Sequence, residues 1–243
     1  MKKRKIKLNY ILPNLFTAAS IFVAIISIVS STAGNYEKGA WLIVMSLFLD
    51  GLDGKIARLT KGESKFGVEF DSLADIVAFG VAPAMLIYMQ IGKDYGKFGI
   101  LAAALFVVLG AVRLARFNIT THSIDSSLFI GLPIPSAALA LVSISLLESK
   151  YNIVFLEPVA LAVSLVVALL MVSNIRYFSL KKVSLTKGIS FRVLVALVLL
   201  ASLIYLYPIE SINIIFFIYI ASGPIRAIWA MRKFKKIYYS PNE

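Results

Sequence analysis

The sequence alternates between long apolar stretches and short polar ones. The apolar stretches run over residues 13–33, 40–59, 66–91, 99–119, 129–147, 153–173, 189–207 and 211–231. Each is close to the ~20 residues that a helix needs to cross a hydrocarbon layer of roughly 30 Å. Polar residues gather between the stretches rather than forming a stripe along them, which is the pattern of membrane helices rather than of soluble amphipathic ones. The expected fold is therefore all-α, a polytopic transmembrane bundle of about eight helices. Short connections and the lack of an internal repeat make 1–243 a single membrane domain. The first stretch, a basic start followed by an apolar run to Ser30-Ser31-Thr32-Ala33, has the outline of a secretion signal. It is longer than a signal core of about 7–15 residues, and seven more spans follow, so it reads as the first span.

Composition agrees. Hydrophobic residues make up 59% of the 243 positions, and mean hydropathy is +0.86, against about 45–50% apolar residues in soluble domains. There is no cysteine, which excludes disulfides, thiolate metal sites and a cysteine nucleophile. A net charge of +12 would suggest nucleic acid in a soluble protein, but here it sets topology. With the N-terminus in the cytoplasm and eight spans alternating, almost every Lys and Arg falls on the cytoplasmic side. Only Lys38, Lys93, Lys97 and Lys150, of 25 in total, are left on the other. That bias is the positive-inside rule, and it puts both termini in the cytoplasm and points the basic segments at anionic lipid headgroups, with no nucleic-acid partner.

Four of the 13 acidic residues, Asp50, Asp53, Asp71 and Asp75, fall inside the second and third spans. An aspartate at a helix centre costs about 2.5–3.5 kcal/mol, so such a cluster marks a functional site. At about 100° per residue, Asp50, Asp53, Gly54, Ala57 and Arg58 share one face of the second helix. Gly67, Asp71 and Asp75 recur every fourth residue on one face of the third. If the short turn makes the two helices antiparallel neighbours, the four carboxylates converge in the cytoplasmic leaflet. Oxygen ligands without nearby histidine or cysteine favour a hard divalent cation, Mg²⁺, Mn²⁺ or Ca²⁺, and two such ions would balance four negative charges. Gly54 and Ala57 leave room beside the carboxylates for a ligand. An acidic metal site with a groove and a flanking arginine suits phosphoryl transfer. A cation path through a transporter is the alternative, although it leaves Gly54, Ala57, Arg58 and Gly67 unexplained.

The stretch Asp50-x2-Asp53-Gly54-x2-Ala57-Arg58-x8-Gly67-x3-Asp71-x3-Asp75 resembles the complete signature of the CDP-alcohol phosphatidyltransferase family. The resemblance implies a helical catalytic region over about 10–207, with 211–243 forming a last helix and a basic tail. It implies that Asp50, Asp53, Asp71 and Asp75 hold two divalent cations, and that Asp75 also takes the proton from the acceptor hydroxyl. Gly54, Ala57, Arg58 and Gly67 would contact or make room for the CDP group. Asn14 and Thr17, in a Pro13-Asn14-x2-Thr17 motif read as opening the first helix, resemble the family's element near the nucleotide. A homodimer in the cell membrane, with its site facing the cytoplasm, is also implied.

Two further stretches, Arg113-Leu114-Ala115-Arg116-Phe117-Asn118 and Phe129-Ile130-Gly131-Leu132-Pro133-Ile134-Pro135-Ser136, are similar to the bacterial and archaeal members that form phosphatidylserine. The substrates implied are CDP-diacylglycerol, or its archaeol counterpart, and L-serine. Arg113 and Arg116, three apart on one helix face, suit an anionic acceptor group held by a guanidinium fork. Glycerol phosphate and inositol phosphate are anionic too and remain alternative acceptors. His122, the single histidine, stands in a polar loop and reads as solvated. Lys181-Lys182 and the basic run Arg232–Lys236 read as headgroup contacts. Trp41, Tyr88, Tyr205 and Trp229 read as interface anchors.

Overall fold

Apolar runs bounded by turn residues form the helices. The computed structural model describes residues 8–60, 62, 64–120, 128–153, 155–178 and 191–239. Within these lie α1 (Leu8–Thr32), α2 (Tyr36–Thr60), α3 (Lys65–Gln90), α4 (Lys97–Thr120), α5 (Ile134–Tyr151), α6 (Leu156–Val172), α7 (Phe191–Leu206) and α8 (Pro208–Tyr239). Their order matches the eight apolar stretches. Four of them contain segments long and apolar enough to cross a membrane, Ile11–Thr32, Lys65–Gln90, Lys97–Ile119 and Pro208–Trp229. α2 is as long but carries Asp50, Asp53 and Lys55, the polar load of the site itself.

Three details differ from the sequence reading. The stretch 129–147 does not begin as helix: Leu128–Ile130 is a strand, β1, paired antiparallel with β2 (Arg176–Phe178). Gly131, at φ +76°, turns the chain out of the ribbon, and its N–H donates to the Ile175 carbonyl at 2.8 Å. A side chain here would run into the Met171 carbonyl oxygen, so glycine is required for the close approach as well as for the backbone angle. Second, α1 begins at Leu8, which leaves Pro13 inside the helix rather than at its start. Third, α3 widens to a π-helical turn over Ile76–Val81, where the Ala82 N–H bonds the Val77 carbonyl. Pro83 follows and has no N–H to give. The wide turn begins directly after Asp75, and such turns recur at functional sites.

α1 and α2 pack antiparallel along a seam of small residues. Ala24 and Ala40 are fully buried, Ser27 Oγ donates to the Gly39 carbonyl at 2.7 Å, and the Ser20 and Ser46 hydroxyls meet at 2.8 Å. Small side chains let the backbones approach, and each hydroxyl finds a partner, the usual basis of helix association in lipid. α5 is the central element, touching α2, α3, α6 and α8. It is apolar on nearly every face, with Ile134, Ala138, Leu141 and Ile144 all buried. Asn152, at φ +48°, ends it with a left-handed cap.

Candidate active site

The α1–α2 seam runs straight into the site. Past Ser20 and Ser46, the next polar contact along it is Thr17 Oγ1 donating to Asp53 Oδ2 at 2.6 Å. Both side chains are buried. The turn after α2 returns the chain as α3, whose first turn is fixed by Ser64: its Oγ accepts the Gly67 N–H at 3.0 Å, an ordinary N-cap. This seats Asp71 opposite α2. Asp50, Asp53 and Asp71 each offer a carboxylate oxygen, and these oxygens all lie within 4.8 Å of one another. One turn further along the same face of α3, Asp75 lies within electrostatic reach of Asp50, Asp53 and Asp71. The four aspartates therefore converge, as their spacing requires.

Carboxylates packed this closely repel one another unless a cation or a shared proton sits among them. Asp50 Oδ1 is buried and has no hydrogen-bond partner, which leaves a lone pair for an ion. The donor set, all oxygen with no nitrogen or sulfur, fits a hard divalent cation.

Beside the aspartates lies a cleft of about 270 Å³ between α1, α2 and the start of α3. Every residue that the sequence assigns to the CDP group lines it: Asn14 and Thr17 from α1, Gly54, Ala57 and Arg58 from α2, and Gly67 from α3. Asp53 and Asp71 form its inner wall. The two glycines act differently. A methyl group at Gly54 would meet nothing nearer than Arg58 Nη1 at 3.9 Å, so this glycine keeps the cleft open. At Gly67 it would crowd Ser64 Oγ at 3.1 Å and Asn14 Oδ1 at 3.2 Å, so that glycine lets α1 and α3 close on each other. Arg58 is exposed at the rim. Thr17 faces the cleft with a hydroxyl already committed to Asp53, so it orients a carboxylate as well as lining the ligand space. Ser64 and Gly62 also line the cleft and were missed from sequence. The spacing Ser64-x2-Gly67 at a helix start was the signal for Ser64.

The structure separates the two arginines. Arg116 is a clasp. Its Nη1 donates to the Val172 carbonyl at 2.9 Å and to Asn174 Oδ1 at 3.4 Å. Its Nη2 donates to the Ser173 carbonyl at 3.1 Å and the Ile130 carbonyl at 3.4 Å. It thus neutralises the C-terminal end of α6, where carbonyls lack helical partners, and ties β1 to it. Arg113 lies about 10 Å inside the end of α4. It is 5% exposed, stacks over the Phe117 ring at 5.6 Å, and feels the charge of Asp75. Its Nε is buried without a hydrogen-bond partner. A buried donor left unpaired costs about 1–3 kcal/mol, more when charged, so this guanidinium is kept ready for an anion. Below it, Asn118 Nδ2 donates to Ser72 Oγ at 3.0 Å and fixes α4 against the turn of α3 that carries Asp71. His122, Lys181 and Lys182 lie outside the described residues.

Comparison with known proteins agrees with this geometry. A family profile described as CDP-alcohol phosphatidyltransferase matches residues 10–172. A CDP-diacylglycerol–serine O-phosphatidyltransferase of Helicobacter pylori is 46% identical over 228 residues, covering 92% of this chain and 94% of its own. One of Bacillus subtilis is 36% identical over 176 residues, 72% of this chain and 93% of its own. An archaetidylserine synthase of Methanothermobacter thermautotrophicus is 36% identical over 179 residues, 73% of each chain. With four long apolar helices and a profile match over most of its length, this membrane-embedded chain belongs to the CDP-alcohol phosphatidyltransferase family.

Proposed function

We propose that the protein transfers the phosphatidyl group of CDP-diacylglycerol, or of its archaeol counterpart, to the hydroxyl of L-serine, giving phosphatidylserine and CMP. The observation that carries this reading is the gathering of Asp50, Asp53 and Asp71 at a cleft lined by Asn14, Thr17, Gly54, Ala57, Arg58 and Gly67, together with a buried Arg113 whose Nε has no partner. The serine-specific names of relatives up to 46% identical support the acceptor.

Asp50, Asp53, Asp71 and Asp75 would hold two divalent cations, Mg²⁺ or Mn²⁺, with Ca²⁺ fitting the same ligands. Such ions, when bound, neutralise diphosphate oxygens and stabilise the leaving CMP. Thr17 holds Asp53 in orientation. Gly54 and Ala57 leave the cleft open for the cytidine end, with Arg58 at its rim to attract the diphosphate. Arg113 takes the serine carboxylate. Asp75 accepts the proton of the serine hydroxyl as its oxygen bonds to the lipid-linked phosphorus and the bond to CMP breaks. The displacement is direct, without a covalent enzyme intermediate. Arg116, sequence-paired with Arg113 as an acceptor ligand, is assigned to positioning, because its four terminal N–H groups already face protein oxygens.

The positive-inside charge pattern supports both termini and the site on the cytoplasmic side of the cell membrane, with the lipid entering sideways from the inner leaflet. The chain acts as one membrane domain, a homodimer by family resemblance. The test is CMP release from CDP-diacylglycerol by purified protein, with serine, glycerol 3-phosphate and inositol phosphate supplied separately. Release with serine, lost on chelation and restored by Mg²⁺ or Mn²⁺, is expected. Release only with another acceptor would keep the chemistry and overturn the role of Arg113. Folded protein releasing CMP with none of them would revive the cation-path alternative.

A further inference from the structure

The acceptor proposed above carries two charges. Serine is a zwitterion at neutral pH, and Arg113 answers only its carboxylate. A guanidinium holds a phosphate as readily as a carboxylate, so Arg113 alone does not tell serine from glycerol phosphate. The group that sets serine apart is its ammonium, which needs an acceptor oxygen.

α3 and α4 are antiparallel neighbours pinned at both ends. At one end Gly99 lies against Gly92 so closely that a side chain on Gly99 would run into the Gly92 carbonyl. At the other, Asn118 Nδ2 donates to Ser72 Oγ at 3.0 Å, and Ser72 Oγ donates onward to the Val68 carbonyl at 3.1 Å. Asn118 is therefore level with Ser72, the neighbour of Asp71. At 1.5 Å per residue, Asp75 stands about 4.5 Å further into the bundle along α3, and Arg113 about 7.5 Å further along α4. The proposed base thus falls between the levels of Asn118 and Arg113. Asn118 is half-buried, and its amide is planar, so the bond to Ser72 fixes the oxygen as well as the nitrogen. Among the described residues that Oδ1 accepts no hydrogen bond.

We infer that Asn118 Oδ1 takes the ammonium of the acceptor and is the group that separates serine from other anionic acceptors. The hydroxyl then lies at Asp75, with the carboxylate toward Arg113 on one side and the ammonium toward Asn118 on the other. A neutral oxygen suits this place, because a further carboxylate would compete with the four aspartates for the cations. The inference rests on the acceptor reading of Arg113 and Asp75.

The experiment is steady-state kinetics of the purified full-length chain with CDP-diacylglycerol, comparing serine with two analogues. One, 3-hydroxypropionate, keeps the hydroxyl and carboxylate but has no amino group. The other, ethanolamine, keeps the hydroxyl and ammonium but has no carboxylate. Each is read as an acceptor or, where turnover is slow, as a competitor of serine. The unaltered chain should favour serine over 3-hydroxypropionate at least about tenfold, as for a hydrogen bond to a charged group. Equal use of the two would overturn the inference without any variant. Asn118→Ala should weaken serine and ethanolamine about tenfold and leave 3-hydroxypropionate little changed. Ser72→Ala breaks the same hydrogen bond but keeps the amide oxygen, so it measures the structural share and should affect all the acceptors alike. If Asn118→Ala does likewise, Asn118 is only a clasp between α3 and α4 and the inference is overturned. Arg113→Lys should show the opposite selectivity, weakening serine and 3-hydroxypropionate but not ethanolamine. With that result and no amino-specific effect at Asn118, the proposed function stands and this inference falls. If Arg113→Lys shows no carboxylate selectivity, the acceptor reading fails and this inference with it.

Discussion

The cleft between α1, α2 and α3 and the surroundings of Arg113 flank the four aspartates, yet they are built in opposite ways. The cleft is open and made by consecutive elements, α1, α2 and the first turns of α3, joined by short turns. Arg58 at its rim is exposed to water, and a glycine keeps its floor clear. The Arg113 side is closed and made from elements distant in sequence: α4, the end of α6 and the β1–β2 ribbon, with the last helix packed on that ribbon. Its key side chain is 5% exposed and carries an unpaired donor. An open cleft suits a long lipid nucleotide that arrives from the side and leaves as CMP. A buried guanidinium suits a small acceptor that must be told apart from others and kept from water, since attack by water would waste the lipid. The difference predicts that damage in the cleft shows in CDP-lipid binding, damage near Arg113 shows in serine binding, and damage at the junction stops turnover.

The junction gives the largest effect. Asp75→Asn removes the proposed base while keeping shape, and turnover should fall by about 10²–10⁴-fold, the range for a general base. CDP-lipid binding, measured directly on the same protein, should survive. Lost binding with normal turnover per bound complex would move Asp75 out of the base role and into the cleft.

In the cleft, Gly54→Val tests whether the open floor is ligand space. The site has no protein atom nearer than 3.9 Å to a new methyl group, so the fold should hold, and replacing a mid-helix glycine tends to favour the helix. The CDP-lipid KM should nevertheless rise by at least about fivefold, the lower end of a 1–3 kcal/mol steric clash. A serine KM that moved instead would break the division between the two regions.

How much of this could be read from the sequence follows the same division. The cleft is a matter of helical period: Asp50, Asp53, Gly54, Ala57 and Arg58 share a face because residues three, four and seven apart always do on a helix. Gly67, Asp71 and Asp75 repeat that rule, and a short turn brings the two faces together. The helices were legible for the same local reason, apart from the start of α5, where Gly131 and Pro133 break a run that looked uniformly apolar. The Arg113 side depends on contacts that no period encodes. That Arg116 meets the carbonyls of Val172 and Ser173, more than 50 positions away, follows from the way α6 ends beside α4. The ribbon between residues 128 and 178 and the hydrogen bond from the Tyr177 hydroxyl to the Ile220 carbonyl have no local signature either. The seat of α8 was illegible for this reason.

On the closed side, Arg113→Lys keeps the charge and removes the planar fork. The serine KM should rise about tenfold or more, as expected for loss of hydrogen bonds to a charged partner at about 1.5–3 kcal/mol. The CDP-lipid KM should stay near its original value. A shift confined to the CDP-lipid KM would reassign Arg113 to the phosphate and leave the closed side without an acceptor ligand.

The smallest effect on catalysis, and the sharpest division, is expected from the neighbouring arginine. Arg113 and Arg116 are alike in sequence, three apart on one helix face, but only Arg116 has its terminal nitrogens engaged by the Val172, Ser173 and Ile130 carbonyls and by Asn174. A lysine at 116 can reach one or two of these oxygens at a time, and the carbonyls left over at the end of α6 lose their partner in a water-poor setting. That should lower stability by about 1–2 kcal/mol, at roughly 1 kcal/mol per neutral hydrogen bond. In a chain of this size it corresponds to a melting point about 2–8 °C lower in detergent. The serine and CDP-lipid KM of the surviving fold should both stay close to the original. A serine KM that rises for Arg116→Lys as much as for Arg113→Lys, with no loss of thermal stability, would make the two arginines a single acceptor fork and erase the distinction between clasp and ligand.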